Sequence, residues 1–204
     1  MNDLQAQFGA IDIYIFDQLL RDRITPDMRI LDAGCGSGRN LHYFLQAGYD
    51  VCGVDAEPRA IAAVRMLAAH LAPELPVENF RVEPVERMTF PAAFADVVLC
   101  SAVLHFATDE AHFDAMLQEC WRVLRPGGLF FARLASSIGM ESRVQPVAGR
   151  RFRLPDGSER FLVDEAMLVN RTQSLRGELI DPLKTIVVQN QRCMTTWVMR
   201  KSGA

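Results

Sequence analysis

Apolar and polar positions along this chain switch between two periods. From Ile11 to Arg23 apolar residues recur at Ile11, Ile15 and Leu19, with Ile13, Phe16 and Leu20 alongside, which predicts an amphipathic helix. Met28–Leu31 is a short apolar run that ends at Asp32 and passes straight into glycines, the pattern of a strand followed by a turn. Helical spacing returns over Gly38–Ala47 and stops at Gly48, a residue suited to a helix C-terminus. Tyr49–Val54 predicts a second strand closed by Asp55. The alanine-rich Pro58–Ala72, with proline in its first turn, predicts another helix. A third strand is expected around Glu78–Val82. Ala95–Cys100 is nearly unbroken in apolar character, as expected of a central parallel strand covered on both faces. Asp109–Leu124 then reads as a helix halted by Pro126-Gly127-Gly128, and Leu129–Leu134 as a fifth strand.

Beyond that the alternation breaks. Residues 136–161 hold five arginines, Arg143, Arg150, Arg151, Arg153 and Arg160, and the turn sequence Pro155-Asp156-Gly157-Ser158. Arg150–Leu154 and Glu159–Val163 flank that turn as a predicted hairpin. Asp164 is placed to cap a short helix. Two β-rich runs, Leu179–Gln189 and Arg192–Arg200, follow with so short a link at Asn190 that they can pair only antiparallel. The whole pattern predicts an α/β fold: a mostly parallel sheet with helices on both faces and a small β-hairpin insertion after strand five. Residues 1–204 are expected to form one domain, with 1–26 as its N-terminal helical segment.

The 204 residues are 50% hydrophobic and 23% charged, enough to bury a core and too apolar for a disordered chain. A net charge of −3 argues against a nucleic-acid partner, which calls for a basic face. No apolar run reaches the roughly 18–20 residues of a membrane helix, and MNDLQAQ lacks the basic start of a signal peptide. A soluble cytoplasmic protein, monomeric or homodimeric, is therefore expected. The five cysteines, Cys35, Cys52, Cys100, Cys120 and Cys193, include no CxxC pair. Reduced, buried thiols are expected, with neither a disulfide framework nor a metal site.

The chemistry concentrates in Ile30-Leu31-Asp32-Ala33-Gly34-Cys35-Gly36-Ser37-Gly38, a strand running into Gly-x-Gly-x-Gly and then a helix. Glycine permits a sharp turn and lets a ligand approach the backbone where a Cβ would otherwise stand. Asp55, at the end of the second strand, can accept hydrogen bonds from vicinal ribose hydroxyls at the carboxyl edge of a parallel sheet. The alternative is a capping role for the helix Pro58–Ala72. The dinucleotide fingerprint spaces its glycines Gly-x-Gly-x-x-Gly and sets a pyrophosphate on the helix N-terminus. Here the spacing is even and Asp32 precedes the loop, where an acid repels a pyrophosphate and attracts an ammonium. The implied ligand carries an ammonium and a ribose and no phosphate, a description that S-adenosylmethionine meets.

ILDAGCGSGRN (30–40), VCGVDAEPRAI (51–61), FADVVLCSAVLHF (94–106) and LRPGGLF (124–130) together resemble the class I S-adenosylmethionine-dependent methyltransferases, over essentially the whole chain. The GCGSGRN segment, with Arg39–Asn40, is most similar to their small tellurite-resistance-type and thiopurine-like branch. The resemblance implies a Rossmann-like seven-stranded sheet of order 3-2-1-4-5-7-6 with the last strand antiparallel. It also implies that Asp32, Gly34 and Gly36 hold the methionine portion of the cofactor, with Cys35, Gly38 and Asn40 in the same loop. Asp55 would take the ribose hydroxyls with Ala56 beside the adenine, and Ser101 would offer backbone contacts to the amino-acid end. One departure stands out. Pro84 occupies the place where the family usually has an Asp for the adenine amino group, leaving the backbone of Val85 and the carboxylate of Glu83 or Glu86 as substitutes.

Other candidates carry two readings each. His105, just past strand four, is either a base at the methyl-transfer mouth or a residue steadying its loop. Arg133 is a charge within an apolar strand and needs a partner or a site. Tyr14 either folds over the cofactor or packs with its neighbours, and Cys35 and Cys100 are expected to pack. The arginines of 143–160 either draw an anionic acceptor or are solvated. The segment 136–163 leaves strand five at the edge where ligands bind such sheets, and is expected to cap the substrate. The expected function is in-line methyl transfer from S-adenosylmethionine to a small-molecule acceptor. A nicotinamide-dependent oxidoreductase on a Rossmann sheet and a non-catalytic cofactor-binding protein of the same fold are the alternatives. No Asn/Asp-Pro-Pro-Tyr-type motif stands after strand four, where Cys100-Ser101-Ala102-Val103 lies, which disfavours adenine and glutamine amides as acceptors.

Overall fold

The computed structural model describes residues 3–203. Strands β1 (Arg29–Ala33), β2 (Asp50–Asp55), β3 (Phe80–Val82), β4 (Ala95–Ser101) and β5 (Leu124–Ala135) pair in parallel in the order β3-β2-β1-β4-β5. Three short strands, β6 (Gln145–Ala148), β7 (Arg151–Arg153) and β8 (Glu159–Phe161), form a separate antiparallel sheet. Strands β9 (Gly177–Leu179), β10 (Lys184–Val188) and β11 (Arg192–Lys201) return to the main sheet, where β11 lies antiparallel to β5 and pairs with both β9 and β10. The expected order 3-2-1-4-5-7-6 is found with β11 and β10 in the last two places, but the sheet has eight strands rather than seven, since β9 also pairs with β11.

The sheet has a core on each face because successive side chains along a strand point to opposite sides. Leu31 and Ala33 of β1, Val98 and Cys100 of β4, and Phe130, Ala132 and Leu134 of β5 share one cluster. Ile30, Val97, Leu99, Leu129 and Phe131 share the other. Helices α5 (Glu110–Val123) and α6 (Glu165–Ser174) cover the first face; α2 (Ile13–Leu20), α3 (His42–Gln46) and α4 (Pro58–Leu71) cover the second, and α1 (Asp3–Phe8) precedes them. Every residue of β4 is buried, as its apolar run predicts. All five cysteines are free and buried, and no helix among the described residues is long and apolar enough to cross a membrane.

Several expectations need correction. The N-terminal segment is two helices, α1 of six residues and α2 of eight, because Asp12 caps the latter by accepting a hydrogen bond from the Tyr14 N–H. The part of this segment at Met1 and Asn2 lies outside the described residues. The helix expected over Gly38–Ala47 begins only at His42: Gly38 sits at φ +85° and Asn40 Oδ1 accepts from the Asp12 N–H, so the preceding residues form turns. Strand β5 starts at Leu124, directly after α5, and bulges through Pro126–Gly128 before resuming its ladder at Leu129. A Cβ on Gly128 would stand 2.8 Å from the Asp96 carbonyl oxygen, which explains the glycine. The run Leu179–Gln189 is broken between β9 and β10, where Pro182 has no N–H to give a ladder. The neighbouring Asp181 is drawn instead into an ion pair with Arg23 at 2.8 Å.

The turn that joins β10 to β11 has Gln189 and Asn190 at φ 48° and 56°, with Gln191 N–H donating to Val188 O, the backbone of a tight antiparallel hairpin. The insertion after β5 holds three strands where a two-stranded hairpin was expected. It is tied to the main body by the stacking of Phe161 on Phe113 at 5.1 Å and by the Ser136–Val163 bridge. Asp164 caps α6, accepting from the Met167 N–H, as its position predicts.

Candidate active site

The carboxyl ends of β1, β2 and β4 meet at a cavity of about 480 Å³ lined by Gly34, Gly36, Asp55, Ala56, Val85, Glu86, Ala102, Val103 and Phe106, with His112 and Met116 from α5. Asp55 organises the glycine loop: its Oδ2 accepts from the Gly36 N–H at 2.9 Å and its Oδ1 from the Glu57 N–H at 2.9 Å. The cap of α4 is Glu57, whose side chain accepts from Arg59 N–H. The two glycines facing the cavity differ in what they permit. A Cβ on Gly34 would lie 2.4 Å from Val103 Cγ2, whereas the Cβ direction of Gly36 is open.

Asp32 lies buried in β1, and neither of its carboxylate oxygens has a hydrogen-bond partner among the described residues. Burial, reinforced by the Asp55 charge and offset by that of Arg39, pushes its carboxyl up to about 7. A buried acid without partners costs stability unless a cationic or hydrogen-bonding ligand meets it. The cavity's acidic side chains, Asp55 and Glu86, fit an ammonium and a ribose and disfavour a pyrophosphate. On these grounds the residues present fit S-adenosylmethionine.

Six of the expected cofactor residues, Gly34, Gly36, Asp55, Ala56, Val85 and Glu86, line this one cavity. The other five do not line it; Asp32 is buried within β1. Cys35 is buried against Gly53, and burial pushes its thiol up. A Cβ on Gly38 would meet Val64 of α4 at 2.8 Å, so that glycine serves helix packing. Asn40 holds the Asp12 backbone, and Ser101 Oγ donates to Asp12 Oδ2 at 3.5 Å. Tyr14 packs against the core cluster that contains α4, with the Arg133 guanidinium 5.4 Å from its ring. At the adenine end, where Pro84 replaces the family's usual acid, Glu86 Oε2 lies 3.5 Å from His112 Nε2. Glu83 instead accepts from Thr89 and does not line the cavity. Val103, Phe106, His112 and Met116 were not anticipated, since nothing in local spacing shows that the loop after β4 and the first turns of α5 fold onto the glycine loop.

A second cavity of about 260 Å³ shares Ala102 as a wall. Ala102 holds φ +64°, a conformation costly for a residue with a Cβ, at the point where the two spaces meet. His105, Arg133 and Ala135 line this cavity from the main body, Leu154, Asp156, Ser158 and Arg160 from the insertion, and Arg192 and Met194 from β11. Arg133 finds its partner in Asp12, at 2.9 Å. His105 Nδ1 accepts from the Ala135 N–H, so in the neutral ring Nε2 carries the proton. Burial, with a smaller contribution from the Arg160 charge, pulls its pKa down to about 4. At neutral pH His105 is an uncharged donor at Nε2.

The strand order, the glycine loop and the acid at the end of β2 define a class I methyltransferase fold. A family model described as a methyltransferase domain matches residues 31–132, and the chain belongs to that family. It is 36% identical over 118 residues to the ubiquinone biosynthesis O-methyltransferase of Methylocella silvestris, covering 56% of this chain and 44% of that one. The chain spans about half the length of the curated relatives it matches. An S-adenosylmethionine-dependent methyltransferase from Methanosarcina mazei has the same fold, with a TM-score of 0.71, 22% identity and 91% and 98% of the two chains covered. So does the 1,6-didemethyltoxoflavin-N1-methyltransferase of Burkholderia thailandensis, solved with bound 1,6-didemethyltoxoflavin and S-adenosylhomocysteine: TM-score 0.69, 21% identity, 98% and 81% covered. S-adenosylmethionine is the cofactor of this class.

Proposed function

We propose that this chain transfers a methyl group from S-adenosylmethionine to a small-molecule acceptor, acting as one domain over residues 1–204. The observation that carries this reading is the meeting of two cavities at Ala102, one bounded by the glycine loop and Asp55, the other by His105, Arg133 and the insertion. When bound, the sulfonium supplies an electrophilic methyl group that an acceptor lone pair takes in line while the C–S electron pair returns to sulfur. In this reading Asp32 faces the ligand's ammonium, and Gly34 and Gly36 keep the backbone open to the methionine portion. Asp55 accepts from the ribose hydroxyls with the lone pairs that its two backbone donors leave free. Ala56, Val85, Phe106 and Met116 wall the adenine. Cys35, Gly38, Asn40 and Ser101 act by anchoring the loop and the N-terminal segment, and the segment 136–163 covers the acceptor and excludes water from it.

The test is calorimetry with S-adenosylhomocysteine. Asp55→Ala is expected to weaken binding about 10–100-fold, roughly 1.5–3 kcal/mol for charge-assisted hydrogen bonds. Gly36→Val is expected to abolish binding, since its side chain would enter the cavity, where the free protein has room. The φ of +53° adds backbone strain, so a thermal melt accompanies the titration to show that the variant is folded. An unchanged dissociation constant in either variant would sink the assignment of this loop.

A further inference from the structure

The second cavity differs from the first in charge. Arg133 is neutralised by Asp12. Of the arginines on the insertion, Arg150, Arg151 and Arg153 are all engaged in ion pairs with Asp164, Glu110 or Glu159. Arg160 lines the cavity and takes part in no ion pair among the described residues; its guanidinium lies over the Phe106 ring at 5.0 Å and donates to its own chain at Glu159 O. Arg192, which lines the same cavity from β11, takes part in no ion pair among the described residues. One anion shares the space: Asp156, whose carboxylate accepts from the Ser158 N–H and Oγ–H. Those two bonds, and then the charges of Arg160 and Arg192, hold its carboxyl below the usual range. Two guanidinium charges therefore face one carboxylate, and the cavity retains one positive charge in excess.

We infer that this cavity takes the monoanionic carboxylate of the methyl acceptor, held between Arg160 and Arg192. The inference rests on the reading that the methyl acceptor binds here. A planar guanidinium fork matches a carboxylate with two parallel N–H donors. A single excess charge suits a monoanion better than a dianionic phosphate. The volume of about 260 Å³ lies below the ~300–1,000 Å³ of sites for drug-sized ligands, which points to a compact molecule. His105, neutral and tied at Nδ1 to Ala135, adds a donor without adding charge.

Nuclear magnetic resonance of the full chain, observing the arginine side-chain N–H groups, tests this with benzoate and its uncharged isostere benzamide at fixed ionic strength. Each titration is run with and without saturating S-adenosylhomocysteine. Benzoate is expected to bind at least about tenfold more tightly than benzamide, and the Arg160→Gln/Arg192→Gln variant to lose that preference. S-adenosylhomocysteine affinity should change far less than the benzoate preference, since Arg160 meets the cofactor cavity only through the Phe106 ring. Arg143→Gln/Arg153→Gln removes the same charge from the insertion outside the cavity and should keep the preference. The inference is overturned if benzoate fails to bind or binds no better than benzamide. It is equally overturned if the Arg160/Arg192 variant keeps the preference, or if inorganic phosphate binds more tightly than benzoate. Failure of S-adenosylhomocysteine to bind the unaltered chain contradicts the methyltransferase reading instead, and the titrations without it still decide the charge of the second cavity.

Discussion

Asp32→Asn is expected to stabilise the ligand-free protein at pH 8 while removing most of its affinity for the cofactor. The folded-state pKa, raised from 3.8 to about 7, means that the folded protein holds this proton more firmly than the unfolded chain does. The sign follows from linkage: the native state is favoured at low pH, and that advantage is lost as pH rises through the window between the two values. About three pKa units correspond to roughly 4 kcal/mol of penalty above pH 7. The amide of asparagine is buried without partners just as the protonated carboxyl is, so those two costs offset each other and the net gain at pH 8 should be about 3–4 kcal/mol. At pH 4, where the wild-type carboxyl is protonated in the fold, the two proteins should have nearly equal stability. Cofactor affinity should fall on the order of 100-fold for the loss of a charged hydrogen-bond partner. Denaturant melts at the two pH values check the first half, and a variant less stable than wild type at pH 8 would contradict it.

Arg133→Met should be the most damaging substitution at the second cavity, and the damage should be to stability first. The Asp12 side chain is 1% exposed and that of Arg133 25%. Without the guanidinium, Asp12 keeps the Tyr14 N–H and the longer contact to Ser101 Oγ but no counter-charge. Stranding one member of a buried pair costs about 3–5 kcal/mol, and partial exposure of the arginine places this case nearer 2–4 kcal/mol. Asp12→Asn retains a capping oxygen for α2 without the charge. The double variant Asp12→Asn/Arg133→Met should therefore recover more than half of the loss, as a coupled pair requires. A single variant within about 0.5 kcal/mol of wild type would show that the pair contributes little and would leave Arg133 as a residue of the cavity alone.

The parts legible in the sequence are those whose cause is local. The glycine loop, Asp55 at the end of β2 and the apolar run of β4 each follow from backbone freedom, strand alternation or two-sided burial within a few residues. The Asp12–Arg133 pair was half legible: Arg133 announced that it needed a partner, but the partner lies far away along the chain, and only the fold brings α2 beside β5. The late start of α3 has the same origin, since Asn40 is occupied by the backbone of Asp12. The break before β10 was signalled by Pro182, a residue that ends a ladder, inside a run read as continuous. The insertion's arginines could not be sorted by sequence into paired and cavity-lining ones, because their partners are set by the fold: Arg150 meets Glu110 of α5 and Asp164 at the cap of α6, Arg153 meets Glu159, and Arg160 lines the cavity.

The central claim is that the cavity between the glycine loop and α5 binds a nucleoside carrying an ammonium and no phosphate. Calorimetric titration of the full chain with S-adenosylhomocysteine and, separately, with NADH tests it most directly. S-adenosylhomocysteine should bind at one site per chain, with affinity reduced by Asp32→Asn and by Asp55→Ala, and NADH should give no heat of binding. Binding of NADH that S-adenosylhomocysteine fails to displace, or no binding of S-adenosylhomocysteine to the folded chain, would contradict the account.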